Sequence, residues 1–219
     1  MTPVISIVGR SNAGKTTLLE KLIRELSGRG RRVGTVKHHF HGPVEVDVPG
    51  KDSWRHRQAG AVAVALASRE AFFVVRETPE ELPLEAIVHR ALTGVDLVLT
   101  EGFKSGAMPK IEVNRAAQGA PLLCGADDHL VAVVTDRPLD VPVPQFGLDD
   151  VAALADFIER EFLQASSPTR VEVLVGGRRV ALDADAQEIL ARVVRSLVGD
   201  PTNLRDGPPI EIRVQGPAE

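Results

Sequence analysis

"GRSNAGKT", residues 9–16, decides how this chain is read. It meets the pattern G-x-x-x-x-G-K-[ST] at every fixed position, and its surroundings agree with it. "PVISIV" (3–8) precedes it, a short β-branched run with the pattern of a buried strand. "KTTLLEKLIRELSGRG" follows, setting Leu18, Leu19, Leu22, Ile23 and Leu26 on one helical face and ending at Gly28 and Gly30. "RVGTVK" (32–37) is a second strand. Strand, helix and strand in such short succession form a βαβ unit, which implies a parallel sheet with a right-handed crossover.

The residue types in the loop suit an anion. Gly9 and Gly14 let the backbone curl so that successive N–H groups, with Asn12 and Ala13 inside the curl, converge on a phosphate. The helix N-terminus adds partial positive charge. Lys15 is placed for the β- and γ-phosphates, the Thr16 hydroxyl for Mg²⁺, and Thr17 for the α-phosphate. A chance turn is the plain alternative, and correct flanks on both sides weigh against it. The motif specifies a nucleoside triphosphate and Mg²⁺ but not a reaction.

Carboxylates should accompany such a loop at the C-terminal edge of a parallel sheet. "VDLVLTEG" (95–102) supplies Glu101 at the end of an apolar strand, a candidate for the metal side, and Asp96 at its start, a surface or capping residue. The loop after the second strand, "KHHFHGPVEVDVPGKDS" (37–53), supplies Asp47 as a candidate to hold a Mg²⁺-bound water or orient an attacking one. Glu45 and Asp52 compete with it, and all three read equally as solvated loop charges. Lys37, His38, Lys51 and Ser53 are candidates for holding a second anionic ligand. The histidines of this loop do not share an i, i+4 helical face with an acidic base, and the chain has one cysteine, so a zinc site is disfavoured. "VAVVTD" ends on Asp136, where a carboxylate can accept from guanine N1–H and N2–H₂. A plain strand-to-turn aspartate is the alternative.

Composition limits the remaining classes. With 219 residues and 43% hydrophobic content, the chain can bury a core in one domain plus an appendage. Its formal net charge of -4 and the absence of tyrosine argue against a nucleic-acid surface, and "RGRR" (29–32) reads as a solvated turn. Cys124 cannot form an internal disulfide and reads as a small apolar residue, with a nucleophile unsupported. There is no secretory leader pattern and no apolar run of spanning length, so a cytoplasmic protein that does not enter the membrane is expected.

Further along, "SWRHRQAG" reads as a short helix, "AVAVALAS" and "AFFVVRE" as strands, and "LPLEAIVHRAL" as a helix. "PKIEVNR" and "LVAVVTD" read as strands, and "DDVAALADFIEREFL" (149–163) as an amphipathic helix closing a first domain, 1–163. "QASSPT" (164–169) is expected as a linker. Residues 170–219 form a small ββαβ pattern: a hairpin turning at Gly176-Gly177, a helix "ADAQEILARVVRSLVG" and a last strand "PIEIRVQ". The fold class expected is α/β, a P-loop NTPase with a mostly parallel central sheet flanked by helices.

"GRSNAGKTTLLEKLI", "TVKHHFHG", "DVPGKDSWRHRQAGA", "LVLTEGFK" and "PKIEVNR", in that order, give the chain a resemblance to the molybdopterin-guanine dinucleotide biosynthesis protein B (MobB) family. The third to fifth blocks carry it, since the first is shared by many NTPases. The resemblance covers roughly the first 160 residues. It implies a GTP-binding homodimer with weak Mg²⁺-dependent GTPase activity, of the class that includes metal-insertion GTPases and dethiobiotin synthetase. It further implies an adaptor in molybdenum cofactor maturation that partners the guanylyltransferase and other cofactor-maturation proteins. Molybdopterin, through its phosphate, is then the candidate second ligand. Two other functions compete. A small-molecule phosphotransferase or ligase would use Lys37, Lys51 and Lys104 for an anionic substrate and Asp47 as base. A metallochaperone GTPase would want a Cys/His metal site, against which the single cysteine counts.

Overall fold

The computed structural model describes residues 2–39 and 47–163, then 173–175, 178–180 and isolated positions between 182 and 193. The chain forms two compact units, one comprising the residues up to His38 and from Ala86 onward, the other His39–Glu85.

The first unit is built on a parallel six-stranded sheet in the order β2-β5-β1-β6-β7-β8. Its strands are β1 (Val4–Val8), β2 (Val33–Lys37), β5 (Leu97–Glu101), β6 (Lys110–Asn114), β7 (Leu130–Thr135) and the two-residue β8 (Gln145–Phe146). The first connection, through α1 (Lys15–Gly28), carries the chain from β1 past β5 to β2. After β5 it crosses to the other side of β1, where it forms β6. The strand order therefore reverses direction at β1, and in such sheets ligands bind at the carboxyl ends beside that switch. The loop 9–14 leaves β1 there.

Burial explains the placement of α1. Leu18, Leu19, Leu22 and Leu26 are buried, and Ile23 packs against the same core. Gly30, at φ +82, ends the helix as expected, with the Arg31 N–H donating to the Leu26 carbonyl at 3.0 Å. Alongside α1 lies α4 (Val151–Ile158), contributing Leu154, Ala155, Phe157 and Ile158 to the core. The helix expected over 149–163 is α-helical only for those eight residues and continues as a π-helical turn, Glu159–Leu163. The sheet interior also holds one buried polar pair, Thr100 Oγ1 donating to Ser6 Oγ at 3.0 Å, so neither hydroxyl is orphaned.

The basic "RGRR" turn is largely exposed, as expected, and is also tied down by acids. Arg29 reaches Glu25, Asp156 and Glu159, Arg31 reaches Glu159 at 2.6 Å, and Arg32 forks onto Asp96. Asp96 thus joins the start of β2 to the start of β5, in keeping with its expected place at the surface.

The second unit contains α2 (Asp52–Gln58) and an antiparallel hairpin of β3 (Ala63–Ala67) and β4 (Phe72–Arg76). Ser68 closes the hairpin, its hydroxyl donating to the Ala71 carbonyl and accepting the Ala71 N–H, both at 3.0 Å. Both strands were expected, and they form a sheet of their own. α3 (Leu84–Ala91) runs from the end of this segment into the first unit.

Near the C-terminus, β9 (Val173–Val175) pairs antiparallel with β10 (Arg178–Val180), Val175 opposite Arg178, the hairpin expected there. The expected linker 164–169, the turn Gly176-Gly177 and the last strand lie outside the described residues, as do Glu45 and most of the histidine loop. Of the expected C-terminal helix, the described positions Asp185, Ala186, Ile189, Leu190 and Val193 are helical. No helix among the described residues is long and apolar enough to cross a membrane.

Candidate nucleotide site

The loop after β1 has the backbone its sequence demands. Gly9, Asn12 and Gly14 have positive φ, at +145, +61 and +98. Gly9 also has no room for a side chain, since a Cβ there would lie 2.5 Å from the Val113 carbonyl oxygen on β6. Gly14 is the residue that caps α1, and Ala13 is fully buried beneath the curl. Lys15 folds back over the loop, Nζ donating to the Arg10 carbonyl at 2.8 Å. A Lys–carbonyl bond of this kind holds the ammonium at the loop's mouth.

Glu101 meets Thr16 there. β5 lies beside β1 with Ile7 opposite Glu101, so the strand end delivers its carboxylate to the first turn of α1. Thr16 Oγ1 lies 3.1 Å from both Glu101 oxygens. Lys37, at the end of β2 and also level with Glu101, brings its ammonium to 3.7 Å from Oε1. The next residue, His38, donates its N–H to the Glu101 carbonyl at 3.0 Å and stacks on Phe103, ring centroids 4.6 Å apart. Gly102 (φ +102) permits this packing, because a Cβ there would approach His38 Cβ to 3.1 Å, and Phe103 itself adopts φ +55. A non-glycine residue at positive φ is costly and persists only where its surroundings hold it.

Asp47, Lys51 and Ser53 belong to the second unit. Asp47 Oδ1 accepts from Ser53 Oγ at 2.8 Å and from the Val48 N–H at 3.0 Å, which fixes the entry to α2. Its Oδ2 is buried with no hydrogen-bond partner among the described residues. Asp136 is exposed at the end of β7, and its Oδ1 accepts the Ala116 N–H at 2.7 Å, holding the turn that follows β6.

Beside the loop, β6 has a polar face that sequence reading missed. Lys110, Glu112 and Asn114 are at most 2% exposed. Lys110 Nζ donates to the carbonyls of Gly106 and Asp128, each at 2.6 Å. Glu112 accepts the N–H groups of Leu123 and Cys124 at 2.8 and 2.9 Å. Burial pushes the Glu112 carboxyl up, and those two N–H groups pull it partly back. Burial, followed by the adjacent Glu112 charge, pushes the Cys124 thiol up to about 11, so it is protonated at neutral pH, the inert small residue expected. The alternation "KIEVN" looks half-exposed in sequence, and its polar face is buried because Gly106, Asp128 and the 115–125 loop supply its partners. The signal available was the position of Asn114-Arg115 at the carboxyl end of a strand, where ligands gather.

Comparison with known proteins follows the same residues. The family model described as molybdopterin guanine dinucleotide synthesis protein B matches residues 4–136. A molybdopterin-guanine dinucleotide biosynthesis adapter protein of Haemophilus influenzae is 42% identical over 160 residues, 72% of this chain and 88% of that protein. The Escherichia coli adapter protein of the same description is 42% identical over 162 residues, 72% of this chain and 92% of that protein. A crystal structure of molybdopterin-guanine biosynthesis protein B shares 32% identity at a TM-score of 0.56, covering 72% of this chain and 98% of that one. The parallel sheet, the curled loop at its switch point and these matches together place the chain: it has a P-loop NTPase fold and belongs to the molybdopterin guanine dinucleotide synthesis protein B family.

Proposed function

We propose that the chain is an adaptor in molybdopterin-guanine dinucleotide assembly that binds GTP with Mg²⁺ and hydrolyses it weakly. The Thr16 hydroxyl set against both Glu101 oxygens at the open end of the loop carries the reading. A hydroxyl and a carboxylate at this distance suit a hard divalent cation that prefers oxygen. Thr16 and Glu101 would hold Mg²⁺, which when bound supplies positive charge to the phosphates. Gly9, Asn12, Ala13 and Gly14 present the curl to them, Lys15 supplies a second cation, and Thr17 sits on the α-phosphate side. Asp136 is the candidate for reading guanine, with Oδ1 already engaged by Ala116. The assignment of Asp47 to an attacking or metal-bound water rests on sequence alone. The roles of Lys37, His38, Lys51 and Ser53 toward a second anionic ligand such as molybdopterin rest on sequence alone.

The adaptor role rests on the family and on the names its relatives carry. A cytoplasmic setting and a guanylyltransferase partner accord with it. A homodimer does too, and the β3–β4 hairpin supports that part. Leu66, Phe72, Phe73 and Val74 are all more than half exposed on a two-stranded sheet. Such a hairpin is marginal alone, and a second copy offers both an edge strand and a matching apolar face. Phe73→Ser should then shift the chain toward monomer in sedimentation equilibrium, whereas an unchanged mass would remove the hairpin from the interface. The adaptor function is tested by deleting the gene and measuring guanine dinucleotide cofactor in purified molybdoenzymes. A marked fall, restored by the intact gene, is expected, and undiminished cofactor would refute the reading.

A further inference from the structure

Arg115 is placed against the phosphate loop although nothing in the loop's sequence motif calls for it. A Cβ built on Gly14 would lie 3.8 Å from both Nε and Nη2 of Arg115, so the guanidinium rests in van der Waals range of the residue that caps α1. Several contacts fix the turn that carries it. Asp136 accepts the Ala116 N–H, the Gln118 N–H donates to the Arg115 carbonyl at 3.0 Å, and Gln118 Nε2 donates to the Ser11 carbonyl at 2.8 Å. That last bond joins the turn directly to the phosphate loop. Arg115 is exposed, and among the described residues its side chain has no hydrogen bond or ion pair, unlike Arg29, Arg31 and Arg32.

The Arg115 charge also acts beyond the loop. The Asp149 carboxyl is held below the usual range first by the Lys21 ammonium, 2.6 Å away, and at longer reach by Arg115. Asn114, just before it, is 2% exposed, and its Oδ1 has no hydrogen-bond partner although its Nδ2 donates to Ala120.

We propose that Arg115 is a nucleoside-binding residue: its guanidinium plane stacks on the base of the nucleotide whose phosphates the loop holds. This rests on the nucleotide reading above. Lys15 already supplies the cation at the phosphate end, and a planar, weakly hydrated guanidinium is the cation best suited to an aromatic face. Stacking is tolerant of base identity, so Arg115 contributes affinity for purine nucleotides, and any choice of guanine lies elsewhere.

Calorimetric titration of the full-length protein with GTP, ATP and inorganic tripolyphosphate, each with Mg²⁺, tests the proposal. Arg115→Ala should weaken GTP and ATP by about three- to thirtyfold and leave tripolyphosphate unchanged. Arg115→Lys, which keeps the charge and loses the plane, should fall between wild type and Arg115→Ala. Unchanged melting of the variants would show that the fold is intact, as expected for an exposed side chain. Unaltered GTP affinity in Arg115→Ala would overturn the proposal, and so would an equal loss for tripolyphosphate, which would make Arg115 a phosphate clamp. If Lys15→Ala abolishes GTP binding while Arg115→Ala does not weaken it, only this inference fails. If wild type binds none of the three ligands, the nucleotide reading fails and takes the inference with it.

Discussion

Replacing Gly9 with alanine probes the contact that seats the phosphate loop on the sheet. Two separate costs arise. At φ +145 the backbone is in a region that L-residues rarely adopt, which costs about 1–3 kcal/mol. The new methyl would also sit 2.5 Å from the Val113 carbonyl oxygen, on a backbone atom that cannot swing away. Forcing the loop off β6 to relieve it adds about 1–3 kcal/mol, by comparison with overpacked cores. The sum, about 2–6 kcal/mol, is a large share of the 5–15 kcal/mol typical of a folded domain. Gly30→Ala is the control. Gly30 has φ +82 but nothing within 4 Å of a built Cβ, so only backbone strain of about 1–2 kcal/mol applies. Urea unfolding followed by circular dichroism should show Gly9→Ala less stable than Gly30→Ala by about 1–3 kcal/mol. The displacement also passes through Val113 to Asn114 and Arg115, so GTP affinity should fall in Gly9→Ala and hold in Gly30→Ala. Equal stability losses in the two variants would refute the close approach of loop and β6.

Other consequences concern groups outside the loop. Glu159 is held below the usual carboxylate range by Arg31 first and Arg29 second, so its stabilisation is complete above the unfolded value and is lost as pH falls through the folded one. Thermal melts taken downward from pH 6 should therefore show a shallower loss for Glu159→Gln than for wild type, and parallel curves would sink that assignment. Cys124, buried with its thiol pushed up to about 11, should not react with a thiol reagent at pH 8 until the protein is unfolded. Rapid labelling of native protein would contradict its burial against Glu112.

Local signals made much of this architecture legible. The loop 9–16 states its own chemistry, because the backbone curl requires the glycine spacing and an anion with its cation calls for the Lys-Thr pair. The spacing of Leu18, Leu22 and Leu26 shows the buried face of α1 directly. Glu101 could be found because an apolar strand ending in a carboxylate has few other readings, and the structure sets it on Thr16. What escaped depends on long-range packing. β8 is two residues long and has no period to detect. The burial of Lys110 and Glu112 depends on carbonyls and N–H groups supplied by residues far along the chain. Arg115 became visible only when Gly14 and the 116–118 turn were seen beside it. Asp136 was expected as a base reader, yet its Oδ1 is spent on the backbone of that turn, a contact that no strand-end pattern announces.

Everything proposed for this chain requires that the curled loop bind a nucleoside triphosphate. Titrating GTP with Mg²⁺ into wild type and Lys15→Ala decides it. Saturable binding by wild type, lost in Lys15→Ala with its melting transition preserved, is the predicted result. Equal GTP affinity in the two proteins, or none in wild type, would contradict it.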